Sequence, residues 1–277
     1  MKITFFESED TVHPRISYLQ ERGTWLSAPF PVWKIAERVG ILFTVLVAVS
    51  LVLYFRYVVN QPDFGAADIA AILILWLLYL PLHEFSHVLF YVLAGYGVDT
   101  VRFFPDVRSK KPLFQRLGGS VYTLLAAFSR AEVVMGRLFP LLLLTVLLLV
   151  LCLALPEHQP ALFLLAITNL GGSSYDICYA AAALLMPRGA VWIGGAWYQP
   201  ADDAPFVICR FRLTPDHKAV QYQAFRFARR KATERRGIPA WRGFPTWRGC
   251  TAEEIPTPPL SAPGRVLIEE FKTQFHL

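Results

Sequence analysis

Residues 72–90 read ILILWLLYLPLHEFSHVLF, an apolar run interrupted by two histidines and a glutamate within five positions. Residues four apart lie on the same face of a helix, so the imidazoles of His83 and His87 can point at one cation. Glu84 lies on the adjoining edge of that helix. This H-E-x-x-H spacing is typical of catalytic zinc sites, in which the glutamate acts as general base. The stretch therefore predicts a helix that carries a zinc site.

The composition of the chain places this helix in a membrane. Hydrophobic residues make up 55% of the 277 positions, which is too apolar for an ordinary soluble domain. Four apolar blocks reach the length of about 20 residues that a bilayer-spanning helix needs. We predict an all-α membrane protein, a four-transmembrane-helix bundle with a small cytoplasmic β hairpin and a mixed C-terminal tail. The predicted spans are 38–59, 67–94, 132–155 and 160–186.

The basic residues of the chain are segregated. They concentrate in an N-terminal arm at 1–37, in the connection between the second and third spans, and in a C-terminal region at 187–277. The positive-inside rule places all three segments in the cytoplasm, so both termini are predicted to face inward around a membrane domain at 38–186. Charge beside a bilayer accounts for the net charge of +6. We therefore expect the lipid bilayer, and not nucleic acid, as a partner.

A third zinc ligand is expected, because catalytic zinc usually has three from the protein. Asp176 is the only charged residue between Pro160 and Pro187. A lone carboxylate in an apolar helix is costly unless it pairs with a cation. His83 and Asp176 each lie about 16 residues, or roughly 24 Å, from the outer end of their span, so they share one depth. Asp176 is the predicted third ligand; the alternative is a simple hydrogen bond between helices.

Polar and flexible residues precede Asp176. Gly171 and Gly172 loosen the helix, which allows the carboxylate to swing toward a partner. Three neighbouring polar residues are predicted to hydrogen-bond the site or to contact substrate, namely Asn169, Ser173 and Ser174.

An H-E-x-x-H motif in one span paired with an aspartate in a later span resembles the intramembrane site-two proteases. A closer resemblance is to the zincin peptidases, a family of compact four-helix bacterial membrane metalloproteases, and it covers about residues 66–190. The resemblance implies a zinc-dependent intramembrane or membrane-associated endopeptidase of the bacterial plasma membrane, acting on a membrane protein or peptide. It implies Zn²⁺ ligands at His83, His87 and Asp176, with Glu84 as general base.

The chain departs from the site-two protease pattern after Asn169. Gly171 and Gly172 follow it where that pattern has a proline, and Ile177 stands where a glycine follows the aspartate.

Two other functions are compatible with the sequence. One is a membrane protein that binds zinc as a scaffold or regulator without turnover, but metal binding alone does not need Glu84. The other is a transporter or proton relay, for which the chain shows no internal repeat. A polar patch joining helices would need fewer groups than this motif provides. The natural substrate and the oligomeric state are not determined by the sequence.

Several segments outside the spans have recognisable patterns. Residues 98–105 and 119–126 favour a hairpin whose edge could hold an extended substrate, with a plain loop as the alternative. Residues 191–198 and 206–212 are predicted to be strands. Two helices are predicted in the tail, a basic one at 215–236 and a short one at 265–275.

Overall fold

The computed structural model describes residues 2–5, 13–16, 23–57, 66–98, 100–103, 119–122, 126–193, 195–202, 204–213, 220–229, 250–256, 269 and 273. Within these ranges the chain forms five α-helices and eleven strands, and the strands make two sheets.

The helices form one packed unit. The helix bounds are α1 Val32–Tyr57, α2 Ala66–Leu93, α3 Arg130–Ala154, α4 Gln159–Gly172 and α5 Ser174–Leu185. Helix α3 packs against α2, α4 and α5, and α1 packs against α4 and α5. A 3₁₀ turn at Pro156–His158 reverses the chain between α3 and α4, and Ser173 separates α4 from α5.

The smaller sheet consists of β1 Lys2–Phe5, β4 Thr100–Phe103 and β5 Gly119–Tyr122. Its strand order is β1-β4-β5. Strand β4 pairs in parallel with β1 and antiparallel with β5, with Thr100 opposite Tyr122. The β4–β5 pairing confirms the predicted hairpin over the plain loop.

The larger sheet has eight strands in the order β2-β9-β10-β11-β6-β7-β8-β3. Its neighbouring strands are antiparallel, and its buried core includes Tyr198, Phe206 and Ile208. The bounds are β2 His13–Ile16, β3 Gly23–Leu26, β6 Ala126–Ser129, β7 Val191–Ile193, β8 Ala196–Pro200, β9 Phe206–Leu213, β10 Val220–Arg229 and β11 Cys250–Ile255.

The predicted all-α four-transmembrane-helix bundle is wrong, because the chain also contains eleven strands in two sheets. Strands from the N-terminal arm, β2 and β3, pair with β9 and β8 from the C-terminal region. Pairing between such distant segments leaves no local signal in a sequence. Among the described residues, one helix, α3, is long and apolar enough to cross a membrane.

The helix predicted at 215–236 is also wrong, because Val220–Arg229 is strand β10. Phe225 and Phe227 are buried and Arg226 between them is exposed, which is the two-residue period of a strand. The prediction relied on the basic charge of this segment instead of this alternation. The predicted strand at 206–212 is confirmed as β9, and 191–198 is divided between β7 and β8. The helix predicted at 265–275 lies almost entirely outside the described residues.

The sheets join the helices at one end. Strand β3 precedes α1, β6 leads directly into α3, α2 runs toward β4, and α5 runs toward β7. His83, Arg137 and Asp176 each lie within about three turns of the sheet-side end of their helix. The fold therefore places polar side chains from three helices at one level.

Candidate metal centre

Helices α2 and α5 bring three potential ligands together. His83 and His87 are one turn apart on α2, and Asp176 lies in the first turn of α5. Oδ2 of Asp176 is 3.1 Å from Nε2 of His83 and 3.4 Å from Nε2 of His87. All three side chains are buried, with 7–8% of their surface exposed. We call these three residues the metal-ligand cluster.

The cluster fits a zinc ion. Ligand atoms arranged as a tetrahedron at about 2.0–2.1 Å from zinc are about 3.3–3.4 Å apart. The distances from Oδ2 of Asp176 to the two Nε2 atoms, 3.1 and 3.4 Å, are close to that separation, and all three ligand atoms lie within 4.8 Å of one another. Two imidazoles and one carboxylate also make up a donor set that catalytic zinc uses, and three protein ligands leave one position open.

Hydrogen bonds orient both imidazoles toward the cluster. Nδ1 of His87 lies 2.8 Å from the carbonyl oxygen of Gly136, to which it can only donate. Nδ1 of His83 lies 3.2 Å from the hydroxyl of Tyr79, and that hydroxyl donates to the carbonyl of Asn169. Nδ1 of His87 is therefore the protonated nitrogen, and Tyr79 can accept a hydrogen bond from Nδ1 of His83, so a metal could take the Nε2 lone pair of each ring in place of the contact with Oδ2 of Asp176.

Arg137 is the cation that pairs with Asp176, the lone carboxylate of its apolar helix. Nη1 of Arg137 donates to Oδ1 of Asp176 at 3.0 Å, while Oδ2 faces the histidines. The guanidinium carbon also lies 4.8 Å from the ring centroid of Tyr179. The sequence prediction did not pair Arg137 with Asp176. Its position as the only charged residue between Glu132 and Leu155 was the signal that could have paired it with Asp176.

Glu84 is buried beside the cluster, with 6% of its surface exposed. The side chains of His83, His87 and Asp176 are close enough to interact with its carboxyl group electrostatically. The next residue, Phe85, packs against Phe103 of β4, with 6.3 Å between ring centroids. The smaller sheet therefore lies against the helix that carries the motif.

The other three predicted site residues lie around the cluster. The side-chain amide of Asn169 donates to the carbonyl of Leu141 and the hydroxyl of Thr145, so it ties α4 to α3. Ser173 is buried at the break between α4 and α5, and Ser174 is buried at the start of α5. Contact of these three side chains with substrate stays a prediction.

This geometry, with the buried His and Glu side chains of H-E-x-x-H on one helix and a carboxylate from a second helix against them, defines a candidate metal centre. Comparison with known families narrows the class of protein, because residues 76–191 match the model of a family described as "Putative zincin peptidase". The match confirms the resemblance predicted from the sequence. The matched segment contains His83, Glu84, His87 and Asp176. No curated protein and no solved structure matches the chain.

Proposed function

We propose that this protein is a membrane-embedded zinc endopeptidase that cleaves a membrane protein or membrane-associated peptide. One observation carries the proposal. The Nε2 atoms of His83 and His87 converge on a single oxygen of Asp176, with the carboxyl group of Glu84 buried beside them.

The residues of the site have distinct roles in peptide hydrolysis. His83, His87 and Asp176 would hold the zinc ion, which when bound supplies the Lewis acidity that activates water and polarises the scissile carbonyl. Glu84 accepts a proton from the attacking water and delivers it to the departing amine. Burial of Glu84 strengthens its electrostatic interaction with the reacting groups, because little solvent screens it.

Apolar side chains on the outside of the helices support a membrane location. On α1, Leu42, Val45 and Val49 are at least half exposed, and they recur at the spacing of one helix face. On α3, Val146, Val150 and Leu153 are also at least half exposed and also recur at the spacing of one helix face. A contiguous apolar surface of this size is unfavourable in water, and lipid chains would cover it. Helix α3 has 25 residues and spans about 37 Å, more than the hydrocarbon core of about 30 Å.

The edge of the smaller sheet supports the proposal that the substrate binds as an extended strand. Strand β5 pairs with β4 and with no other strand among the described residues. A peptide can add to such an edge through backbone hydrogen bonds. Because Phe85 of the motif helix packs against Phe103 of β4, a peptide on β5 would lie near the metal-ligand cluster.

Zinc content and peptide cleavage, measured on the same preparations, test the proposal. The full chain, purified in detergent, is compared with Glu84→Gln, using a fluorescently quenched single-span peptide in mixed micelles as substrate. We expect one zinc per chain in both forms and cleavage slowed by about 10²–10⁴-fold in Glu84→Gln, the usual contribution of a general base. Glu132→Gln, which changes a buried glutamate outside the cluster, is the control and retains activity.

Each other outcome has a stated meaning. Equal cleavage by the wild type and Glu84→Gln would contradict the peptidase proposal. Bound zinc with no cleavage by either form would favour a zinc-binding protein without turnover. Absence of zinc from the wild type would favour a proton relay.

A further inference from the structure

We propose that Arg137 is a positioning residue that fixes Asp176 as a one-oxygen metal ligand, and that Tyr179 holds the guanidinium in place for this task. The inference rests on the proposed zinc site. It concerns α3, a helix that supplies no ligand to the metal-ligand cluster.

The two oxygens of Asp176 have different partners. Oδ1 accepts a hydrogen bond from Nη1 of Arg137 at 3.0 Å, and Oδ2 faces both imidazoles. A free carboxylate can rotate and bind a metal through either oxygen or through both. With Oδ1 engaged by Arg137, Oδ2 is the oxygen presented to the metal.

Tyr179 restricts the movement of Arg137. It lies three residues after Asp176 on α5, so both side chains are on the same face of that helix. The guanidinium lies over its ring, 4.8 Å from the centroid. Trp192 of β7 packs edge-on against Tyr179, with 5.9 Å between centroids and 73° between planes. The carboxylate and the aromatic ring therefore hold the guanidinium between them, and the larger sheet supports the ring.

Consecutive residues of α3 contact two ligands from different helices. The carbonyl of Gly136 accepts the hydrogen bond of His87, and Arg137 donates to Asp176. Helix α3 thus contacts one candidate ligand on α2 and another on α5. Groups that orient metal ligands commonly contribute 10–100-fold to affinity.

Positioning and simple electrostatics predict opposite effects at this residue. Arg137 is a cation beside a site for a dication, so by Coulomb repulsion alone its removal would tighten metal binding. If Arg137 orients Asp176, its removal weakens metal binding. The sign of the change separates the two explanations.

Zinc affinity of the full chain in detergent micelles, measured by competition with a chelator, tests the inference. We expect Arg137→Gln to bind zinc about 10–100-fold more weakly than the wild type. Arg137→Lys keeps the charge without the planar fork, so we expect a smaller but measurable loss. The matched control is Arg130→Gln, which removes an arginine of α3 that binds the carbonyls of Leu184 and Met186 instead of Asp176. Its zinc affinity should equal that of the wild type.

Two further variants and a spectrum complete the design. Tyr179→Leu should weaken zinc binding while Tyr179→Phe, which keeps the aromatic face, should not. Cobalt substituted for zinc should report a changed coordination geometry in Arg137→Gln through its visible absorption. If Arg137→Gln does not fold, Arg137→Lys decides the question by the same measurement.

Failure of this inference is distinguishable from failure of the proposed function. Unchanged or tighter zinc binding in the folded Arg137 variants, with zinc bound to the wild type, would overturn the positioning role alone. A wild type that binds no zinc would overturn both.

Discussion

Two buried acidic regions of this molecule differ in what surrounds the carboxylate. One is the metal-ligand cluster; the other, which we call the capping cluster, consists of Ser129, Glu132 and Tyr96. Asp176 and Glu132 are almost equally buried: the exposed fraction of the whole residue is 6% for Asp176 and 2% for Glu132. Glu132 accepts hydrogen bonds from the backbone and hydroxyl of Ser129 and from the hydroxyl of Tyr96. It completes the capping box that begins α3.

The comparison shows that burial of a carboxylate does not by itself identify a metal site. The oxygens of Glu132 face only hydrogen-bond donors, which satisfy them fully. Oδ2 of Asp176 faces two imidazole nitrogens that come from another helix. Convergence of several ligand atoms on one point is the property that distinguishes the metal-ligand cluster, and four experiments test that distinction.

The largest effect is expected for Asp176→Ala. The change removes a ligand and leaves the guanidinium of Arg137 without its carboxylate. Breaking a buried ion pair from one side costs about 3–5 kcal/mol of unfolding free energy, and we expect the lower end of that range because 30% of the Arg137 side chain is exposed. Zinc content should fall to background and denaturant unfolding in micelles should shift by that amount. The double variant Asp176→Ala/Arg137→Met should recover part of the stability and none of the zinc; zinc retained at wild-type affinity would remove Asp176 from the cluster.

Glu132→Ala should destabilise the protein without affecting the metal. It removes the carboxylate half of the capping box, to which the backbone N–H of Ser129 donates, and leaves the hydroxyl of Tyr96 without this acceptor, at a cost of about 2 kcal/mol. Unfolding of the metal-free protein measures the loss, and zinc stoichiometry should equal that of the wild type. Loss of zinc from a folded Glu132→Ala protein would mean that the two regions are one functional unit.

Gly136→Ala should affect both stability and metal affinity. A Cβ at this position would lie 2.8 Å from the ring of Phe90, so the ring or the helix that carries it must shift. Overpacking of this kind costs about 1 kcal/mol or more and shifts the carbonyl that orients His87. Thermal unfolding and chelator competition should both register the change. Gly97→Ala, where a Cβ meets nothing within 4 Å, is the control; equal behaviour of the two variants would argue against this packing.

The smallest effect is expected for Thr145→Val. This change removes one acceptor from the side-chain amide of Asn169 but keeps the carbonyl of Leu141. At the proposed membrane location, hydrogen bonds between helices average about 0.6 kcal/mol, so the free energy of unfolding should fall by roughly that amount. Zinc affinity and peptide cleavage should be unchanged. A large loss of cleavage with zinc retained would instead indicate that Asn169 acts on substrate.

The sequence predicted the helices around the site better than the sheets. Apolar runs and H-E-x-x-H spacing are local patterns, so helix α2 and the shared face of His83 and His87 could be predicted from adjacent residues. Asp176 could be predicted because a lone charge in an apolar helix requires a partner. The pairing of β2 and β3 with β9 and β8 could not, because it joins segments nearly 200 residues apart in the chain.

The sequence by itself determined which side chains can bind a metal, since that depends on residue type and on helical spacing. Only the tertiary structure decided that Arg137 divides the two oxygens of Asp176 and that Gly136 orients His87. It also decided that the polar side chain of Asn169 ties helices together. Those contacts depend on how α3 packs between α2 and α5, and packing between helices is set by the whole surface of each helix rather than by any short motif.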